Sequence, residues 1–215
     1  MLKHYNGPYG NFRYDDAEFE LMDGFLSYVG TETDGSKIKI PMGIINCTGM
    51  FYGYSSLLTA PEIPAGVTNC EGMFYGCSSL LKAPEIPAGV TNCDSMFCGC
   101  SSLIKAPTIP AGITDCYSMF YGCSSLVEAP EIPTGVTNCE GMFYDCSSLS
   151  KAPAISAGVT NCYAIFHGCS SLQNYSLDNA VLRNKMYCNC SPIIQEIDRF
   201  MQKFKERNKL NDTTV

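Results

Sequence analysis

The apolar positions of this chain repeat every 23 residues. Met50, Met73, Met96, Met119 and Met142 form one column, and each precedes a phenylalanine: Phe51, Phe74, Phe97, Phe120 and Phe143. Ile165 and Phe166 close both series. Leu57, Leu80, Leu103, Leu126, Leu149 and Leu172 form a third column. Ile63, Ile86, Ile109, Ile132 and Ile155 form a fourth, followed by Val67, Val90, Ile113, Val136 and Val159. Ala60, Ala83, Ala106, Ala129 and Ala152 add a column of small residues. A fixed period in the twenties marks a solenoid, in which each coil stacks a residue on the same residue of its neighbours. One coil alone cannot bury such a face.

The polar positions punctuate the same period. Asn46, Asn69, Asn92, Asn138 and Asn161, with Asp115 in register, are expected to hydrogen-bond the backbone at a corner of the coil. Pro64, Pro87, Pro110 and Pro133 end an extended stretch. Gly66, Gly89, Gly112, Gly135 and Gly158 follow, and a turn at positive φ is expected there. Residues 70–75 are predicted to form one short helical or 3₁₀ turn. Residues 79–86 are predicted to be extended, with two prolines per repeat keeping strand pairing short.

Both ends depart from the period. The copy at 170–190, "SSLQNYSLDNAVLRNKMYCNC", loses its Pro and Gly, as terminal repeats commonly do. Ser191 and Pro192 suit the start of a helix. Ile193, Ile194, Ile197, Phe200, Met201 and Phe204 then fall on one helical face. The chain therefore divides into an N-terminal β cap and lead-in hairpin (1–45), an array of about six coils (46–190), and a C-terminal capping helix with a tail (191–215). The cap is expected to be a short two-stranded unit turning at "TDGS", residues 33–36.

The run "GCSSL…IP…V", with its "MF" pair, resembles the BspA-like class of bacterial leucine-rich repeats. The likeness spans roughly residues 22–190. "DGFLSYVGTETDGSKIKIP", residues 23–41, is similar to the lead-in of such arrays. The resemblance implies a leucine-rich-repeat solenoid with short strands and short helical turns in each coil. It also implies a surface-adhesin role as one functional alternative.

The 14 cysteines change the picture only modestly. Cys47, Cys70, Cys93, Cys116, Cys139 and Cys162 form one column, and Cys77, Cys100, Cys123, Cys146 and Cys169 form another, with Tyr54 in that place in the first copy. Residues one coil apart read as ladders of buried thiols acting as small hydrophobes. A disulfide framework and structural zinc are the alternatives; the chain has no CxxC spacing. Cys98 stands where other copies carry Tyr and is expected to be more exposed and reactive than its neighbours. His167 also falls in that Tyr column, which makes a surface substitution the simpler reading than a general base. No Walker-type or dinucleotide phosphate loop is present. The chain is read as no enzyme, with no cofactor and no metal; a cysteine-dependent enzyme is the remote alternative.

Charge points towards a protein partner. The chain carries a net −7, and residues 46–169 hold nine acidic against three basic residues. Direct nucleic-acid or membrane-surface binding is therefore disfavoured, and a protein with a basic surface is the expected partner. The variable outward positions are the candidate site. They comprise Leu58 and Glu62, then Leu81, Lys82 and Glu85, then Ile104 and Lys105, then Val127, Glu128 and Glu131. Tyr75, Tyr121 and Tyr144 offer a second stripe. The N-terminus shows no apolar run of signal-peptide length. The expected location is the cytoplasm of a bacterium or phage-infected cell, or the surface if a leader precedes this sequence. The expected function is a non-catalytic binding scaffold. One form of it would be a phage or mobile-element inhibitor of a host defence protein.

Overall fold

The computed structural model describes residues 1–22 and 25–172. The expected capping helix at 191–215, and the degenerate copy beyond residue 172, lie outside the described residues.

The chain opens with two antiparallel hairpins. β1 (Leu2–Gly7) pairs with β2 (Gly10–Asp15), Leu2 opposite Asp15. β3 (Phe19–Met22) pairs with β4 (Phe25–Tyr28), Phe19 opposite Tyr28. The period-2 alternation of a half-buried strand selects their inward faces. Phe12 and Tyr14 are buried on β2, and Leu26 and Tyr28 on β4. The Tyr28 ring packs 5.2 Å from Phe51 and 5.3 Å from Tyr54, so the second hairpin covers the first coil.

The expected two-stranded cap turning at residues 33–36 is not what forms. The hairpins lie upstream, and this segment enters the solenoid instead. Asp34 pairs with Thr59 as a parallel bridge. Its carboxylate accepts from the Ser36 backbone N–H and hydroxyl and from the Thr59 hydroxyl. It thereby caps a single 3₁₀ turn, Gly35–Lys37. A side chain at Gly35 would meet the Thr59 carbonyl oxygen at 2.1 Å, so only glycine lets the two backbones come this close. Ile40 and Ile44 are buried 23 residues before Ile63 and Val67, already in register with the array.

The coils stack through two series of single-residue parallel bridges. One runs Asp34, Thr59, Lys82, Lys105, Glu128, Lys151. The other joins Asn46, Asn69 and Asn92, and then Asp115, Asn138 and Asn161. Pro84 and Pro87 offer no N–H to lengthen the first ladder, which is why it stays one residue wide.

Residues 70–77 form neither a helix nor a 3₁₀ helix. Their amides alternate in destination. Met73, Tyr75 and Cys77 donate back within the coil to Cys70, Gly72 and Phe74. Gly72, Phe74 and Gly76 donate across to Asp94, Met96 and Cys98 of the next coil. A helix would keep every amide within the segment and leave the coils unbonded. The alternation needs two left-handed residues per coil, here Gly72 (φ 54°) and Gly76 (φ 72°). Positive φ had been expected at Gly66 and its column, but none of those residues adopts it.

The core is a set of columns one coil apart. Phe51, Phe74, Phe97, Phe120, Phe143 and Phe166 stack at 5.4–5.8 Å with ring planes 3–12° apart. Each is at most 1% exposed.

Candidate binding faces

The stretch from Leu81 to Pro87 presents one flank of each coil. Its inward residues, Ile86 and the half-buried Ala83, anchor it to the core. Pro84 is buried with them, and Leu81, Lys82 and Glu85 face out. Leu58, Leu81, Ile104 and Val127 are 44%, 49%, 55% and 42% exposed. They form a partly exposed apolar stripe across four coils. Lys82, Lys105 and Glu128 run beside it as exposed bridge residues. Glu62, Glu85 and Glu131 form a further exposed row three positions on.

This arrangement sorts the array's charge. Its three basic residues, Lys82, Lys105 and Lys151, share a single column next to the apolar stripe. Near the N-terminal end, Glu62 and Glu85 line a groove of about 960 Å³ together with Lys39, Met42 and Lys82.

Tyr75, Tyr121 and Tyr144 lie on the other flank, on the outer side of the 70–77 turns. Tyr52 stacks on Tyr75 at 4.8 Å, Tyr121 on Tyr144 at 4.5 Å, and Tyr144 on His167 at 4.3 Å. Tyr75 and Tyr121 are exposed, whereas Tyr144, covered on both faces, is half-buried. The Tyr residues and the apolar stripe come from different segments of each coil, separated by the Ser78–Ser79 corner. The candidate residues thus make two stripes rather than one patch.

An acidic edge at the asparagine corner escaped the sequence reading. The side-chain oxygens of Asn69, Asn92 and Asn138 accept the backbone N–H two residues on, as expected of that column. The residue just after the first cysteine column then adds a carboxylate: the exposed Glu71 and the half-buried Asp94 and Glu140. Glu71 accepts from Asn92, Asp115 from Asn138, and Glu140 from Asn161. Asp94 is held differently. Its Oδ1 is buried without a hydrogen-bond partner. Burial, with Asp115 and Glu71 nearby, raises its carboxyl to about 6. The recurrence of acids at one position of the period was the signal available in the sequence.

The cysteines are structural. All twelve in the described residues are buried thiols outside any disulfide. Sγ of Cys77, Cys100, Cys123, Cys146 and Cys169 donates to the carbonyl of a phenylalanine in the preceding coil, at 3.1–3.2 Å. Burial pushes the Cys47 and Cys77 thiols up to about 12, far from the thiolate that a nucleophile needs. The expectation for Cys98 is corrected. It is only 7% exposed, shaded by its tyrosine neighbours, and desolvation raises its thiol too. Among the described residues, no group of three or more His, Cys, Asp or Glu could hold a metal ion.

The profile of the BspA type leucine-rich repeat region matches residues 31–138 and 108–206, in six copies. The chain belongs to this family. Solved structures agree on the fold of this BspA-type array. A leucine-rich repeat protein of T. pallidum superposes with a TM-score of 0.57 at 24% identity, covering 79% of this chain and 80% of that one. A leucine-rich repeat protein from Bacteroides ovatus gives 0.55 at 23%, covering 74% of this chain and 45% of that one. A leucine-rich cell surface protein from Faecalibacterium prausnitzii gives 0.51 at 23%, covering 80% and 53%. This chain spans about half the length of the latter two. No curated protein matches it. The family match is to a repeat architecture and indicates no catalytic family. No helix among the described residues is long and apolar enough to cross a membrane.

Proposed function

We propose that this BspA-type array is a protein-binding scaffold that docks its partner on the extended flank. The apolar stripe of Leu58, Leu81, Ile104 and Val127 carries the reading. Four large apolar side chains held about half exposed in consecutive coils are costly to leave in water, and surfaces of this kind mark interaction sites. Burying such a side chain stabilises a complex by roughly 1.5–3 kcal/mol. Lys82 and Lys105 beside the stripe, and Glu62, Glu85 and Glu131 beyond it, fix the register of what docks. Basic groups of the partner meet the glutamate row, and the groove at Glu62 and Glu85 is wide enough to admit a long basic side chain.

The test is affinity capture with the wild-type chain, with Leu81→Asp/Ile104→Asp, and with Glu62→Lys/Glu85→Lys. A partner recovered in stoichiometric amount by the wild type and lost by both variants supports the reading. A partner that both variants retain contradicts it. The identity of the captured protein also decides whether the target is a host defence protein.

A second reading, display on a bacterial surface, is favoured by the likeness to the Faecalibacterium prausnitzii cell surface protein. It uses the same flank. Protease shaving of intact cells that releases peptides of this chain would support it.

A further inference from the structure

The N-terminal hairpin leaves one strand edge open. β1 is the outer strand of a two-stranded sheet, and five of its six residues are exposed. The far side of this hairpin is closed: the Asn11 amide donates to the Gly43 carbonyl, and the Ile45 amide to the Tyr9 carbonyl. Gly7 stands opposite Gly10 across a two-residue turn, which sets the alternation of the ladder. Lys3, Tyr5 and Gly7 exchange their hydrogen bonds with β2, whereas Leu2, His4 and Asn6 turn theirs away. The Asp16 amide, donating to the Met1 carbonyl, continues the same alternation. Among the described residues, no hydrogen bond reaches the backbone of Leu2, His4 or Asn6.

Side chains do not guard this edge. Edge strands are commonly protected by a lysine, a proline or a bulge that deters a further strand. The one lysine of β1, Lys3, is drawn back to Asp16, just past the end of β2, at 3.4 Å. The His4 ring also leans across the hairpin, with Nε2 2.8 Å from Asn11 Oδ1. Leu2 is 70% exposed and adds an apolar side chain at the start of the edge. β1 has no proline and no bulge.

We propose that β1 pairs with β1 of a second copy of this chain, antiparallel about a two-fold axis, to form a four-stranded sheet in the order β2–β1–β1–β2. One register joins all three outward positions of each copy. It sets His4 opposite His4, and Leu2 opposite Asn6 on either side, so each outward N–H meets an outward carbonyl. Any extended strand meets the backbone groups. The second copy is favoured by charge and symmetry. In this register Lys3, the only Lys, Arg, Asp or Glu in β1, lies opposite Tyr5 of the other copy, where ammonium and ring attract, and never opposite a second Lys3. Each contact is then made twice, as in the closed two-fold dimers that dominate soluble oligomers. The pairing uses none of the residues of the extended flank, so the two readings fail separately.

Sedimentation velocity of the full chain, free of any N-terminal tag, should show a monomer–dimer equilibrium that shifts with concentration. Hydrogen exchange at the Leu2, His4 and Asn6 amides should slow in step with the dimer. His4→Pro removes one outward N–H and leaves the β1–β2 ladder intact, because that N–H faces away from β2. It should fold as the wild type does and weaken dimerisation at least about tenfold. His4→Ala keeps the N–H and should dimerise as the wild type does. The register is read by cross-linking in a chain carrying Cys188→Ser and Cys190→Ser. There His4→Cys sets two thiols across the axis within disulfide reach, whereas Leu2→Cys sets them about 14 Å apart. Oxidation should link the first and not the second. A monomer at every concentration, a dimer whose β1 amides stay unprotected, or a dimer that His4→Pro leaves intact would overturn the proposal. Equal loss in His4→Ala and His4→Pro would place the contact on the imidazole and overturn the strand pairing. Cross-linking of Leu2→Cys as fast as His4→Cys would overturn the register.

Discussion

Phe97 and Cys98 are neighbours in sequence, yet they belong to two ladders with opposite tolerance. The inner ladder of phenylalanines runs unbroken from Phe51 to Phe166. The outer ladder, one residue on, loses its ring at Cys98 and ends on a histidine. The same backbone carries both, so the difference comes from what each side chain meets. An inner ring is enclosed by the coils above and below and by the Met and Leu columns. Removing it leaves a cavity that the stack cannot close. An outer ring trades contact with its neighbours for contact with water. Variation is therefore cheap on the outside, and that is where recognition can be written.

The widest break in this comparison comes from truncating the two ladders in one coil. Phe97→Ala should destabilise the fold by about 3–5 kcal/mol, whereas Tyr121→Ala, exposed and stacked on one face, should lose under about 1.5 kcal/mol. Urea titrations of both variants check the contrast. Comparable losses would mean that the outer ladder is structural.

The next effect lies in the backbone between the ladders. Gly122 adopts φ 70°, and a methyl group there would have ordinary room beside Gly99. Gly122→Ala therefore reports conformation alone, and should destabilise by about 1–2 kcal/mol. Asp145 occupies the same column at φ 55° with a side chain. Asp145→Gly should raise the melting temperature, a gain of up to about 1 kcal/mol. Opposite signs at two positions one coil apart would establish that the column requires the left-handed conformation.

The smallest effect is electrostatic. Asp94 keeps its proton up to about pH 6, against an ordinary value of 3.8. The folded state therefore binds the proton more tightly than the unfolded chain. The contribution of Asp94 is greatest below about pH 4 and is lost as pH rises through 6. Because the group is partly solvated, the change across that window should be about 1 kcal/mol or less. Asp94→Asn should flatten this part of the stability–pH curve. A curve that keeps its slope in the variant would place the titrating group elsewhere.

The period of 23 made much of this legible in advance. A large apolar column that hardly changes is expected to be buried, and the Met, Phe, Leu and Cys columns are. A position that changes must face out, and Leu81, Lys82, Glu85 and their counterparts do. What stayed hidden was conformation rather than burial. Gly66 and Gly72 recur equally well, and the sequence alone does not show which backbone turns left-handed. The hydrogen bonds decide it, because only the Gly72 and Gly76 segment must alternate its amides between two coils. The 70–77 segment passed for a helical turn because its i to i+3 contacts are real while its other amides leave for the next coil. Cys98 was misread by considering its column without its neighbours. A small residue between two tyrosines is shaded by them even on an outer face.

The division into a sealed interior and a variable exterior is tested most directly by counting thiols. Iodoacetamide at pH 8 should be applied to a chain carrying Cys188→Ser and Cys190→Ser, first native and then in denaturant. The account predicts that the twelve remaining cysteines stay unmodified in the native protein and label together on unfolding, with Cys98 among them. Rapid native labelling of several column cysteines would contradict it, because thiols that reagent can reach are not the buried rungs of a stack.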